Sequence, residues 1–342
     1  MKRLFSATIL SIILLVTINV YGQVTFAVDG FSTDFSGKIY ISDTSQVFSK
    51  GWVEILDKKT KKQLIRVNSD ELTFELHNGK LLANIKQSPY GEQSSIIYQD
   101  FNFDGKYDFA IMDGQNSCYH GPSYQVYLAT ANGFKLSADF TRLAQEYCGM
   151  FDADTKTKQI TTMTKSGCCW HQYSLFIVQD NKPKAIKITE DDETNIPYSI
   201  YSEENWNGKK MVRYSKKNID LTQEGVKPIL TFTVDKNGKQ IALFNLNNRT
   251  LNYAVISKEN TVEFSYPITI VYQNPDFTFN SERNVLTFKN KNATYTIIEQ
   301  DKNVTLQTNI NGKAYTWVGN AQTKKGALHQ LLTTRLDNVV IN

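Results

Sequence analysis

The sequence lacks the short patterns that mark most enzymes. No HExxH, GxSxG, P-loop or dinucleotide fingerprint occurs in its 342 residues. Its four histidines (His77, His120, His171, His329) are scattered, and no pair of carboxylates stands out for glycoside hydrolysis. No catalytic residue is assigned, and the chain is read as a non-enzyme. An excess of one charge is lacking too, with 38 Lys and Arg against 34 Asp and Glu. That balance gives no case for nucleic acid or for a polybasic membrane patch. Long apolar runs are lacking beyond the first 22 residues, so no later segment reads as a transmembrane helix. Helical periodicity is scarce: only Asp139 to Tyr147 and Gly326 to Leu336 are candidates.

The start of the chain has the pattern of a secretory signal. Lys2 and Arg3 form a charged n-region, Ile9 to Val16 an apolar h-region, and Val20-Tyr21-Gly22 suits cleavage before Gln23. Residues 1–22 are therefore read as a signal peptide, and the mature chain as periplasmic or secreted, with no membrane anchor after cleavage. Lys2 and Arg3 leave with the signal, so the 38 basic residues become 36 against 34 acidic ones.

What is present is strand-forming. Alternation of apolar and polar residues runs through Lys38–Ile41, Tyr124–Leu128, Tyr173–Val178 and Ile229–Val234, and 18 Tyr and 19 Phe supply core material. Asn-Gly turns are expected at Asn78-Gly79 and Asn311-Gly312. Three similar turn segments (Leu56–Leu64, Phe151–Ile160, Val234–Ile241) form a weak repeat. The expected fold is all-β, a β-propeller-like or multi-sheet β domain with few short helices. Two β-sandwich-like domains are the alternative. The acidic run Glu190–Asn195 is expected to be a solvated connecting loop. It separates an N-terminal and central β region, 23–190, from a C-terminal β region, 191–342.

Four cysteines (Cys118, Cys148, Cys168, Cys169) in an exported chain imply two disulfides. A bridge between sequence neighbours is strained. If Gly167 to Trp170 is a strand, Cys168 and Cys169 also face opposite sides of it. Each is therefore expected to pair separately with Cys118 or Cys148, the assignment between the two being open.

The densest chemistry lies in Asp100-Phe101-Asn102-Phe103-Asp104-Gly105-Lys106-Tyr107-Asp108. Side-chain oxygens recur at every second position, a glycine permits a sharp turn, and Asp108 adds a further carboxylate. A hard cation such as Ca²⁺ takes about six to eight oxygens, and a tight loop of this spacing can wrap one. An EF-hand needs a Glu at the twelfth position inside a helix. Here that position is Ile111, and the flanks Ser95–Tyr98 and Phe109–Met112 read as strands. The expectation is a Ca²⁺-binding turn between strands, with side-chain oxygens from Asp100, Asn102, Asp104 and Asp108 and the Lys106 carbonyl as ligands.

Two further segments are polar, glycine-containing and aromatic: Asp113–Tyr124 and Lys165–Tyr173. Stapled by cysteines, they would present Tyr119, Tyr124, Ser166, Gly167, Trp170, His171 and Tyr173 as binding residues at little entropic cost. Across roughly residues 95 to 185 these stretches together resemble exported proteins of Gram-negative bacteria. Those are related to a periplasmic immunity protein that inhibits a lysozyme-like, secreted peptidoglycan hydrolase. The motifs carrying the likeness are Tyr98–Asp108, Gly121–Tyr127 and Lys165–His171. The Asp-rich loop alone is also similar to the Ca²⁺ loops of integrin-type FG-GAP repeats. The resemblance implies export, a β-rich fold and Ca²⁺. Lysozyme inhibitors of several folds insert a Ser-Gly pair with a nearby Tyr into the hydrolase cleft. By that likeness Ser166-Gly167 with Tyr173 would play this part, although two cysteines and a tryptophan intervene. The expected partner is a cell-wall hydrolase. A glycan, bound by an adhesin or carbohydrate-binding module, is the alternative, and a polysaccharide-active enzyme the third reading.

Overall fold

The computed structural model describes residues 24–28, 30–87, 91–268 and 275–342. The expected signal peptide, residues 1–22, lies outside them. Among the described residues no helix is long and apolar enough to cross a membrane.

Short strands joined by tight turns generate successive antiparallel meanders, as the alternation and turn residues dictate. The first comprises Val24–Val28 (β1), Phe35–Ile41 (β2), Ser49–Asp57 (β3) and Gln63–Leu72 (β4). The second comprises Ile96–Gln99 (β5), Asp108–Ser117 (β6), Gly121–Thr130 (β7) and Gly133–Leu136 (β8). A helix, Ala138–Glu146 (α1), follows, with Ser137 as its N-cap, and then the short strand Asp152–Asp154 (β9). Next come Gln159–Ser166 (β10), Trp170–Gln179 (β11), Lys182–Asn195 (β12), Tyr198–Trp206 (β13) and Met211–Ile219 (β14), neighbours in one sheet. Val226–Thr233 (β15), Gln240–Leu246 (β16), Thr250–Ile256 (β17) and Val262–Tyr266 (β18) form another meander. The last is Phe277–Asn280 (β19), Val285–Asn290 (β20), Ala293–Gln300 (β21), Asn303–Ile310 (β22) and Lys313–Val318 (β23). Lys325–Gly326 (β24) extends the β15 edge, and Val339–Ile341 (β25) adds a parallel strand beside β19.

The fold is thus almost all β and built of several sheets, as expected. Among the described residues the sheets carry four, five or six strands and none closes into a barrel, an arrangement of unequal sheets that fits a multi-sheet β domain. The two Asn-Gly turns form with positive φ at both central residues: +50° and +78° at Asn78-Gly79, +51° and +83° at Asn311-Gly312. That conformation matches the right-handed twist of β22 and β23 around Asn311-Gly312, whereas Asn78-Gly79 closes only the single His77–Lys80 bridge.

The chain divides into two compact units, Met1–Ile160 with Val178–Pro183, and Thr161–Ile177 with Lys184–Asn342. The division falls some way before the expected boundary at residue 190. The acidic run is not a loop: β12 continues through Asn195 and pairs with β13, with Glu190 opposite Ser202 and Asp191 opposite Tyr201. This stretch is nowhere fully buried, so its polar side chains are admitted, and Arg213 neutralises Glu190 at 2.6 Å. Of the two helical expectations, Gly326–Leu336 yields only a short 3-10 turn, Leu328–Leu332.

In the first unit β6 runs buried on both faces from Asp108 to Met112, and Phe109 packs on Tyr98 at 4.6 Å and Phe134 at 4.8 Å between ring centres. In the second unit one apolar cluster draws on both late sheets, from Leu230, Phe232 and Tyr253 to Phe277, Phe288 and Leu306. Two sheets packed face to face in this way bury alternate residues of each.

Candidate functional site

The acidic loop connects β5 to β6, the strand-to-strand setting expected for it. Phe101 drops into the core against Phe151, 5.3 Å between ring centres, and fixes one end. Phe103 and Gly105 adopt φ of +61° and +88°, which curls the chain so that side-chain oxygens turn inward. Asp100 accepts the N–H groups of Asp104 (3.2 Å) and Gly105 (2.9 Å). Asn102 Oδ1 accepts Asp104 N–H at 3.3 Å, and Asp104 accepts Lys106 N–H at 2.9 Å. Asn102 Nδ2 donates to Asn181 Oδ1 at 3.1 Å, tying the loop to the 178–183 segment of the same unit.

Asp108 differs from the others because it is 0% exposed. Its two oxygens accept the N–H groups of Phe101 and Ala129, both at 2.8 Å. Burial pushes its carboxyl up to about 6 against the pull of those two hydrogen bonds, with the charges of Asp100 and Asp104 adding to the rise. The loop therefore gathers negative charge around a desolvated carboxylate. The donor set is all oxygen, the chemistry that suits a hard cation. A carboxylate oxygen has lone pairs beyond the one used by an amide, so the hydrogen bonds do not exhaust it. Beside the loop, Asn102, Thr130, Lys135, Asp139, Asn181 and Lys182, together with Leu128 and Leu136, help line an open cavity of about 330 Å³.

The cysteines pair otherwise than expected. Cys118 bonds Cys148, with Cα atoms 4.8 Å apart, and Cys168 bonds its neighbour Cys169, at 3.7 Å. The expectation failed because Gly167–Cys169 is not a strand. It is the turn between β10 and β11, so the alternation that would part the two thiols does not apply. Every cysteine is bonded, as an oxidising, extracytoplasmic compartment favours.

That turn is solvent-facing. Ser166, Gly167 and Cys168 are exposed, and Gly167 has φ of +63° with nothing within 4 Å of where a Cβ would sit. The Cys169 carbonyl accepts Glu193 N–H at 2.8 Å, anchoring the turn to β12. Trp170 and His171 follow half-buried, and Tyr173 is 50% exposed. The expected residues of the other cysteine loop divide. Tyr119 is 59% exposed at φ of +53°, but Tyr124 is fully buried and donates its hydroxyl to the Ser94 carbonyl at 3.1 Å. Tyr124 is core, because β7 turns that face inward, and it is withdrawn as a binding residue. Tyr119 belongs to the first unit, and Ser166 to Tyr173 to the second.

Sequence reasoning missed one cluster. Glu75, His77 and Glu92 each offer a ligand atom, all within 4.8 Å of one another, the sole such group among the described residues. Glu75 and His77 are neighbours in sequence, but nothing in the sequence signals that Glu92 joins them.

No family model matches the chain, and no curated protein sequence matches it. Among solved structures it is similar to a Xanthomonas type IV secretion system related protein, 18% identical with a TM-score of 0.44 over 57% of this chain and 94% of that one. It is similar to a prolyl endopeptidase at 6% identity and a TM-score of 0.24, over 86% of this chain and 41% of that one. It is similar to TolB from Acinetobacter baumannii at 7% identity and a TM-score of 0.22, over 85% of this chain and 65% of that one. Likenesses this distant decide neither fold family nor function.

Proposed function

We propose that this is an exported, Ca²⁺-stabilised binding protein that inhibits a peptidoglycan hydrolase through the β10–β11 turn. The observation that carries the reading is the turn itself. Ser166 and Gly167 project beside an adjacent-cysteine bridge that closes within the turn, and exposed Tyr173 lies on the following strand. A pre-stiffened turn loses little entropy on entering a cleft, and an exposed aromatic beside it supplies a contact of hot-spot kind. Asp100, Asn102, Asp104 and Asp108, with the Lys106 carbonyl, would hold Ca²⁺ at the β5–β6 turn in a scaffold role. The desolvated Asp108 beside two further carboxylates supports a cation there.

The test is inhibition of purified muramidases of the lysozyme type by the mature protein. Inhibition is expected, and Ser166→Arg or Tyr173→Ala should weaken it about tenfold or more, the scale of a hot-spot loss. Both positions are exposed, so both variants should fold. Absence of inhibition, or inhibition indifferent to both substitutions, overturns the reading.

A further inference from the structure

We propose that Glu75, His77 and Glu92 form a binding site for a divalent transition metal of the Zn²⁺ class, separate from the acidic loop. His77 opens the Asn78-Gly79 turn, where its backbone exchanges two hydrogen bonds with Lys80, at 2.8 and 3.1 Å. Glu92 lies in a second hydrogen-bonded segment, in which Gln87 N–H donates to its carbonyl at 2.9 Å and Gln93 pairs with Lys86. Two separately fixed pieces of backbone thus present their side chains to one point.

The present spacing is close to what a metal needs. His77 Nε2 and Glu92 Oε1 stand 2.6 Å apart, and the Glu75 oxygen lies within 4.8 Å of both. A tetrahedral ion with bonds of about 2.0–2.1 Å separates its ligands by about 3.4 Å. The pair must open by less than an ångström, and the exposed Glu75 side chain must swing inward by little more. The ligand types select the ion: one imidazole and two carboxylates suit Zn²⁺ or its neighbours, whereas Ca²⁺ takes oxygens alone. Three protein ligands leave a fourth position for water.

A plain ion pair accounts for His77 and Glu92, but Glu75 brings a second carboxylate to the same imidazole, and one negative charge remains over. A divalent ion with neutral imidazole balances both carboxylates. Glu75 and Glu92 also border a cavity of about 10 Å³, which Val28, Ile39, Phe74 and Leu81 line on its apolar side.

The experiment is calorimetric titration of the chelator-stripped mature protein with ZnCl₂ in excess Ca²⁺. One equivalent is expected to bind. His77→Ala should weaken binding about 100-fold, because even an outer partner of a metal ligand is worth about 10–100-fold. Asp104→Ala should leave it unchanged. If His77→Ala misfolds by circular dichroism, Glu75→Gln at an exposed position takes its place, with weakened binding expected. No Zn²⁺ binding, or binding unaffected by substitution at His77 or Glu75, overturns the proposal whatever the hydrolase assay shows.

Discussion

Asp108 Oδ1 accepts the backbone N–H of Ala129 at 2.8 Å and so ties the end of the acidic loop to a strand 21 residues further on. Its other oxygen holds Phe101 N–H, which makes Asp108 a structural clasp whatever ion the loop takes.

The clasp and the metal ligands should therefore separate under mutation. Asp108→Ala leaves one buried and one part-buried N–H group unpaired, at about 1–3 kcal/mol each, and should destabilise the protein by about 2–4 kcal/mol even in chelator. Asp104→Ala should cost little in chelator but abolish the rise in melting temperature on adding Ca²⁺. Differential scanning calorimetry in EDTA and in CaCl₂ checks both. A parent protein indifferent to Ca²⁺ removes the metal from the account.

The two disulfides should contribute unequally. Cys118–Cys148 closes a separation of 30 residues, so replacing both with Ala should cost about 3–4 kcal/mol. Cys168–Cys169 closes no chain loop, and its double Ala variant should unfold at nearly the parent temperature. Exposure also orders their reactivity: Cys168 faces solvent and Cys148 is buried. Under a mild dithiol, mass spectrometry after alkylation should find Cys168 and Cys169 labelled first. Earlier labelling of Cys148 would contradict the assigned environments.

Tyr124 and Tyr173 should behave as core and surface. Tyr124→Phe removes a buried hydroxyl from the Ser94 carbonyl and should cost about 1 kcal/mol in urea unfolding, with hydrolase inhibition unchanged. Tyr173→Ala should show the reverse pattern.

The half-buried strand β13 carries a local acid-stability device. Glu203 accepts hydrogen bonds from the Tyr201 hydroxyl and the Asn205 amide, both at 2.6 Å, and pairs with Lys187 at 3.0 Å. These partners hold its carboxyl at about 2, against 4.5 unperturbed. A folded-state value below the unfolded one gives stability that is present above about pH 4.5 and lost as pH falls towards 2. Carbon-detected NMR should follow Glu203 ionised to near pH 2. The stability difference between the parent and Glu203→Gln should vanish over the same window; a difference that persists at pH 2 rules this out.

Much of the local architecture was legible in the chain. Alternation located β2, β7, β11 and β15, and Asn-Gly placed two hairpin turns, because side-chain period and turn chemistry act over a few residues. The spacing of Asp100, Asn102 and Asp104 with Gly105 likewise encoded an inward-facing loop between strands. The acidic run misled because exposure, not polarity, decides whether charged residues belong in a strand. Glu190 sits in β12 because the strand is solvated there and Arg213 answers its charge.

The sequence by itself determined the strand content, the turn positions and the acidic loop, all set by contacts between near neighbours. Only the tertiary structure decided which cysteines meet, that Tyr124 is buried while Tyr173 is exposed, and that Glu92 joins Glu75 and His77. Those outcomes depend on which faces of distant strands pack together, a long-range choice that no local pattern of residues records.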